Sequence, residues 1–269
     1  MLKQRILTAL ILAPLVVWGI LALPNTAFAA IYGAIILMGA WEWAQLLGWH
    51  DAGRRTAHVA VHALLLLALH AYASAAVVSL ILMAAGAWWL VALVLVILYP
   101  TGSGLWRQSA PARFVAGLLV LQPAWLALVT LHQTPGPVFV LLLMLLIWGA
   151  DSGAYFAGRA LGRHKLAPRV SPGKSWEGVL GGALSALVIA AVFYHWQAPQ
   201  LGLAGFLAAV LATIAISIVG DLLESMFKRI VDVKDSGGLL PGHGGVLDRI
   251  DSLTAAAPVF VILLGWLSR

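Results

Sequence analysis

The chain has 269 residues, of which 62% are apolar and 10% charged, with a net charge of +6. A soluble domain carries roughly 25% charged residues and a disordered chain is poor in apolar ones, so this composition excludes both and leaves an integral membrane protein. The absence of cysteine removes disulfide frameworks and thiolate chemistry, and the basic excess reads as loops facing anionic lipid rather than as a nucleic-acid surface.

A spanning helix needs about 20 apolar residues, because the hydrocarbon core is about 30 Å thick. Nine stretches qualify, at roughly 6–23, 26–47, 57–73, 76–98, 113–131, 137–157, 178–196, 201–224 and 253–268. The fold class predicted is therefore an all-α polytopic membrane protein. Its separators are helix-ending chemistry: Pro24-Asn25, the loop from Gly48 to Arg55, Pro100 to Gly104, Pro135-Gly136-Pro137 and Gln197 to Gln200. The first stretch also resembles a signal peptide, with Lys3 and Arg5 before an apolar run ending in Ala27-Phe28-Ala29. The run is long for a signal sequence, which favours a retained helix.

Nine crossings place the N-terminus and every even-numbered connection on one side. That side holds fifteen of the sixteen Lys and Arg, all but Arg269. Lys and Arg mark the cytoplasmic side, so the N-terminus is expected inside and the C-terminus outside. The chain also divides chemically. Residues 1–150 hold two acidic residues, Glu42 and Asp51, and read as scaffold helices. Residues 151–269 hold the other eight and read as the catalytic region, with polar cytoplasmic connections at 158–177 and 225–252.

Asp151 falls within an apolar stretch, where a carboxylate is costly and needs a partner. Arg159, Arg163 or an interfacial position would satisfy it without any function. The run from Asp221 to Asp251 combines carboxylates (Asp221, Asp235, Asp248, Asp251), cations (Lys228, Arg229, Lys234, Arg249) and backbone freedom around His243 (Gly242, Gly244, Gly245). Carboxylates suit a hard cation such as Mg²⁺, basic side chains neutralise phosphate, and glycines let amides approach an anion. A metal-phosphate site at the membrane surface is the chemistry this combination suits. A solvated loop of balanced charge is the bland alternative.

The turn Ser171-Pro172-Gly173-Lys174-Ser175 precedes a predicted helix and could hold an anion at the helix N-terminus. An ordinary positive-inside loop would look similar. It is not a P-loop, since Pro168 stands where the first glycine is required and no strand is predicted before it. His58 and His62 have metal-ligand spacing but no carboxylate on their helix, so interhelical hydrogen bonding is the expectation. The pairs Gly149/Gly153, Gly158/Gly162 and Gly178/Gly182 predict close helix packing. Trp43, Trp49, Trp106, Trp176 and Trp196 fall where an aromatic belt would, whereas Trp18, Trp88 and Trp89 do not.

Taken together, Ser225-x-Phe227-Lys228-Arg229, Lys234-Asp235 and Pro241-x-His243-Gly244-Gly245-x-x-Asp248-Arg249-x-Asp251 resemble the signature of the phosphatidate cytidylyltransferase family. The upstream Ser171-Pro172-x-Lys174-Ser175-x-Glu177-Gly178 is similar to the same family, and Trp41-Glu42-Trp43 echoes it in the first half. The resemblance implies transfer of CMP from CTP to phosphatidic acid, giving CDP-diacylglycerol and pyrophosphate for phospholipid synthesis. It also implies Mg²⁺, a second monovalent cation (K⁺), a homodimer and the bacterial inner membrane. It assigns metal binding to Asp221 and Asp248, with Asp151 a further candidate ligand and Ser225 a polar neighbour. Lys228, Arg229, Lys234, Asp235, His243, Arg249 and Asp251 become candidate catalytic residues. Ser171, Lys174, Ser175, Ser225, Gly244 and Gly245 become candidate substrate contacts.

Two alternatives stand beside this reading. A CTP-dependent transferase on another lipid phosphate would share most of the signature. A transporter would also have many helices and intramembrane carboxylates, but its binding groups would lie near the midplane, usually with repeat symmetry. Here the polar residues gather at one face and the halves are dissimilar.

Overall fold

The computed structural model describes residues 13–198, 200–238 and 244–268. The chain is a helical bundle: α1 (Ala13–Ala22), α2 (Asn25–Leu46), α3 (Ala52–Tyr72), α4 (Ala75–Leu98), the short α5 (Gly104–Gln108), α6 (Ala110–Gln133), α7 (Pro137–Leu161), α8 (Trp176–Gln197), α9 (Leu203–Ile230) and α10 (Leu247–Leu267). Every one of the nine expected stretches lies on a helix, the first described only from Ala13. Seven of the described helices (α2, α4 and α6 to α10) are long and apolar enough to cross a membrane. The 21 residues of α3 have the length, but Arg54, Arg55 and three histidines lower its hydropathy.

Helix starts follow local chemistry. Asp51, Ser74, Ser109 and Ser175 cap α3, α4, α6 and α8 by accepting a backbone N–H three residues on. This satisfies one of the amides that a helix leaves without an internal partner. Pro137 opens α7, where its missing N–H costs nothing.

Two expectations need correction. The connection expected at 225–252 is shorter, because α9 continues to Ile230 and α10 begins at Leu247. Ser225, Lys228 and Arg229 therefore lie on α9, and Asp248, Arg249 and Asp251 lie on α10. The connection expected at 158–177 is not a plain loop. It holds an antiparallel hairpin of β1 (Lys165–Ala167) and β2 (Ser171–Ser175). A strand thus does precede Pro168. Its partner is the adjacent β2, and the segment between them is a tight turn, so the arrangement is still not a P-loop.

One end of the bundle gathers the polar chain. There Arg113 of α6 donates to the Leu47 carbonyl beyond α2, Glu42 of α2 meets Leu247 of α10, and Lys228 of α9 meets Asp248 of α10. By connectivity every described Lys and Arg belongs to this end. At the opposite end, His132 of α6 contacts Asn25 and the Ile20 carbonyl.

The α7–α8 pair is close because its contact face is nearly free of side chains. A Cβ on Gly153 would come 2.2 Å from Ser185 Oγ, and one on Gly181 would come 2.3 Å from Ala157 Cβ. Helix α10 packs against α2, α4, α6, α7 and α9, with Ala255, Ala256 and Ala257 fully buried. The core runs without interruption through both halves of the chain. Leu64, Leu80, Leu90, Ile97 and Leu180 are exposed, which suits a surface whose solvent is lipid.

The aromatic expectations divide. Trp176 and Trp196 are exposed, but Trp43 is buried, and its indole N–H donates to the Arg113 carbonyl at 3.0 Å. Trp88 and Trp89 are core residues, and Trp88 meets Trp106 edge-on. His62 contacts Gln122 of α6 at 2.9 Å, the interhelical role expected of it.

Candidate active site

The hairpin is held to α8 by Glu177. Its carboxylate accepts from the Arg163 and His164 amides and contacts His164 Nδ1 at 2.6 Å. The Trp176 amide donates to the His164 carbonyl at 2.9 Å, closing the hairpin at its base. The brace fixes β2, and β2 presents Lys174 to α9.

Between α7, α8, α9 and the hairpin lies a cavity of about 210 Å³. Its polar lining includes Asp151, Lys174, Ser175, Ser217, Asp221 and Ser252. Much of the remaining wall is small, with Ala150, Ala154, Gly158, Gly178 and Gly182 among it. The close packing of α7 on α8 thus also leaves a space free of large side chains beside the carboxylates.

Two ion-pair clusters make up the charged end. In the first, Lys174 Nζ lies 2.6 Å from Asp221 Oδ2, and Ser225 donates to Asp221 Oδ1 at 3.2 Å. Asp151 and Asp251 are close enough to Asp221 for their charges to interact. Asp151 is thereby placed beside Lys174, while Arg159 bonds Tyr155 instead. In the second cluster, Lys228 Nζ bridges Glu224 at 2.7 Å and Asp248 at 2.6 Å. Asp248 also accepts from the Gly245 amide at 2.8 Å and the Ser236 amide at 3.2 Å.

Among the described residues, five carboxyl groups (Asp151, Asp221, Glu224, Asp248, Asp251) and the ammonium groups of Lys174 and Lys228 gather at this end. A carboxylate at the edge of a low-dielectric region is costly unless a cation or a proton neutralises it. The donor set is all oxygen, which fits a hard divalent ion. Among the described residues no three carboxylates or histidines form a ready-made metal cage. The arrangement therefore matches an ion that takes one or two carboxylates and completes its shell with phosphate and water, as Mg²⁺ does.

The other expected residues are placed as follows. Ser175 spends its hydroxyl on capping α8, accepting from the Gly178 amide, and Ser171 begins β2 outside the cavity wall. Arg229 is exposed and donates to the Val170 carbonyl, tying α9 to the hairpin. Lys234 and Asp235 are exposed and belong to neither cluster, and Arg249 is exposed on the first turn of α10. Gly244 has φ +80°, a conformation that favours glycine, and a Cβ there would come 3.0 Å from Asp248. His243 lies outside the described residues.

Two buried acidic residues of this end had no assigned role in the sequence reading. Glu224 is buried one helical turn before Lys228, and the i, i+4 spacing was its signal. Glu42 is buried against the 231–246 connection. Its signals were that it is a carboxylate within an apolar stretch and that it lies in the Trp41-Glu42-Trp43 run.

Paired lysines, clustered carboxylates and a small-walled cavity at one end of a membrane-type helical bundle suit an integral-membrane enzyme that transfers phosphate-linked groups. The chain belongs to the Cytidylyltransferase family, whose pattern it matches over residues 3–267. It is 50% identical to a phosphatidate cytidylyltransferase of Pseudomonas aeruginosa across 99% of both chains. It is 44% identical to a phosphatidate cytidylyltransferase of Haemophilus influenzae across 97% of both. A phosphatidate cytidylyltransferase of Brucella suis is 36% identical, over 97% of this chain and 92% of its own.

Proposed function

We propose that this enzyme transfers CMP from CTP to phosphatidic acid, releasing pyrophosphate and forming CDP-diacylglycerol. Near-complete matching to relatives bearing the name phosphatidate cytidylyltransferase carries the reading. In the reaction a phosphate oxygen of the lipid attacks the α-phosphorus of CTP. The new P–O bond forms as the bond to the β-phosphate oxygen breaks, and the electron pair leaves with pyrophosphate.

The nucleophile is already an anion, so no strong general base is required. The barrier is the approach of two anions, and catalysis consists of positioning and charge neutralisation. Lys174 and Lys228 are the best-placed ammonium groups for this, with Arg229, Lys234 and Arg249 nearby in the chain. Both lysines are held by carboxylates at 2.6 Å, so an arriving phosphate would exchange one anionic partner for another. Asp221 and Asp248 are the residues that would hold Mg²⁺, with Asp151 beside the first. Asp221 is the freer of the two, since Asp248 already accepts from Lys228 and two backbone amides. A bound Mg²⁺ would supply neutralisation of the triphosphate. The carboxylate excess also suits a monovalent cation.

We further read the polar end as cytoplasmic and the membrane as the bacterial inner one. The supports are the gathering of basic residues at that end and the bacterial relatives. Incubating the purified protein with radiolabelled CTP and phosphatidic acid, with and without Mg²⁺, tests the reading. Labelled CDP-diacylglycerol formed only with Mg²⁺ is the expected result. Labelling of a different lipid phosphate in preference to phosphatidic acid would replace the substrate, and no CTP turnover would remove the activity.

A further inference from the structure

Glu42 is buried, 1% exposed, near the C-terminal end of α2. It lies far in sequence from both ion-pair clusters. Its carboxylate nevertheless accepts from the Leu247 amide at 2.7 Å and from the Ser236 hydroxyl at 3.4 Å. Leu247 is the first residue of α10, so a side chain from α2 caps that helix.

The glycines facing Glu42 show how closely the 231–246 connection wraps it. A Cβ on Gly237 would come 2.3 Å from Glu42 Oε1, and one on Gly245 would come 2.5 Å from Oε2. Gly237 lies on the outgoing arm of the connection and Gly245 on the returning arm. The opposite side of the same arms faces Asp248, which accepts from the Ser236 and Gly245 amides. Ser236 and Gly245 are thus clasped between two carboxylates, one from each half of the chain. Asp248 in turn holds Lys228. A buried carboxylate is costly, and Glu42 Oε1 has no hydrogen-bond partner among the described residues. Stability alone would favour an apolar residue at this position.

The geometry points to Glu42 as a positioning residue: it clamps both arms of the 231–246 connection and the start of α10, and so fixes Asp248 and Lys228 for the reaction. The inference rests on the proposed activity for its catalytic consequence but not for the clamp itself.

The chain has no cysteine, and Val246 is buried on the returning arm, 8% exposed. Val246→Cys therefore offers a single labelling site on the connection, one that a reagent reaches only when the arm opens. The rate of maleimide labelling is measured in this background with Glu42 intact and with Glu42→Ala or Glu42→Gln, alongside kcat, KM for CTP and the melting temperature in detergent. Gln keeps a carbonyl oxygen for the Leu247 amide. The expected result is labelling at least about fivefold faster and kcat at least about thirtyfold lower for Ala, with Gln recovering most of both. Unchanged labelling in Glu42→Ala overturns the clamp, whatever the activity. Faster labelling with unaltered kcat and KM overturns the catalytic consequence. A lowered melting temperature with no recovery by Gln reduces Glu42 to core packing and also overturns the proposal. If the parent protein does not turn over CTP and phosphatidic acid, the proposed activity fails while labelling still decides the clamp.

Discussion

The Lys174 ammonium lies 2.6 Å from the Asp221 carboxylate, joining the hairpin to α9 beside the cavity. Each residue is only partly covered, with side-chain exposures of 26% and 30%. Both groups are therefore within reach of solutes from outside the bundle. Replacing Lys174 by Ala should lower turnover about a hundredfold or more, as loss of one preorganised charge-stabilising group does in other enzymes. Asp221→Asn should do the same, while both variants still insert and purify as the parent does. Steady-state assay of CTP turnover checks this, and near-parental turnover in either variant would remove the pair from the reaction.

Lys228 is a different case, because Glu224 is buried and Asp248 is largely covered. The Glu224 and Asp248 side chains are 4% and 12% exposed. Lys228→Met should destabilise the protein by about 3–5 kcal/mol, the usual consequence of leaving a buried charge without its partner. Adding Glu224→Gln should restore part of the melting temperature but none of the activity. Equal melting of Lys228→Met and the parent in detergent would contradict the buried pairing.

The α7–α8 contact makes a steric prediction. Gly153→Ala and Gly181→Ala each place a methyl group within about 2–3 Å of backbone or side chain on the facing helix. Such overpacking costs about 1–3 kcal/mol, and it should also narrow the cavity and reduce turnover. Gly265→Ala on α10, with no described residue near its Cβ position, should leave melting unchanged or slightly raised. Thermal melts of the three variants compare the two outcomes directly, and similar behaviour of all three would count against the close approach.

Removal of divalent ions addresses the carboxylate excess. EDTA should abolish turnover, Mg²⁺ should restore it, and Asp221→Asn should shift the Mg²⁺ concentration for half-maximal activity upward. Full activity in EDTA would mean that the five carboxylates serve some other purpose.

Glu177 of the hairpin brace and the charged residues of the signature were legible as residues but not as contacts. Lys174, Asp221, Lys228 and Asp248 could all be singled out from the sequence, because clustered charge and glycine in an apolar chain have few structural explanations. Which lysine meets which carboxylate could not. Glu177 was visible as part of a motif, but its role as the clasp of a strand hairpin depends on a turn whose antiparallel register no local pattern announced. Trp43 looked like a membrane-interface residue by its position along the chain and is instead a core residue bonded to α6.

Sequence alone determined the solvent, the helices and the end of the bundle that carries charge. These depend on hydropathy over about 20 residues and on where Lys and Arg fall, both of which are local properties. Tertiary structure alone decided the pairings and brought Glu42 to the start of α10. Those contacts join residues separated by tens to hundreds of positions. Periodicity along one helix shows which face is apolar, but not which helix will cover it or which backbone amide will reach a buried carboxylate.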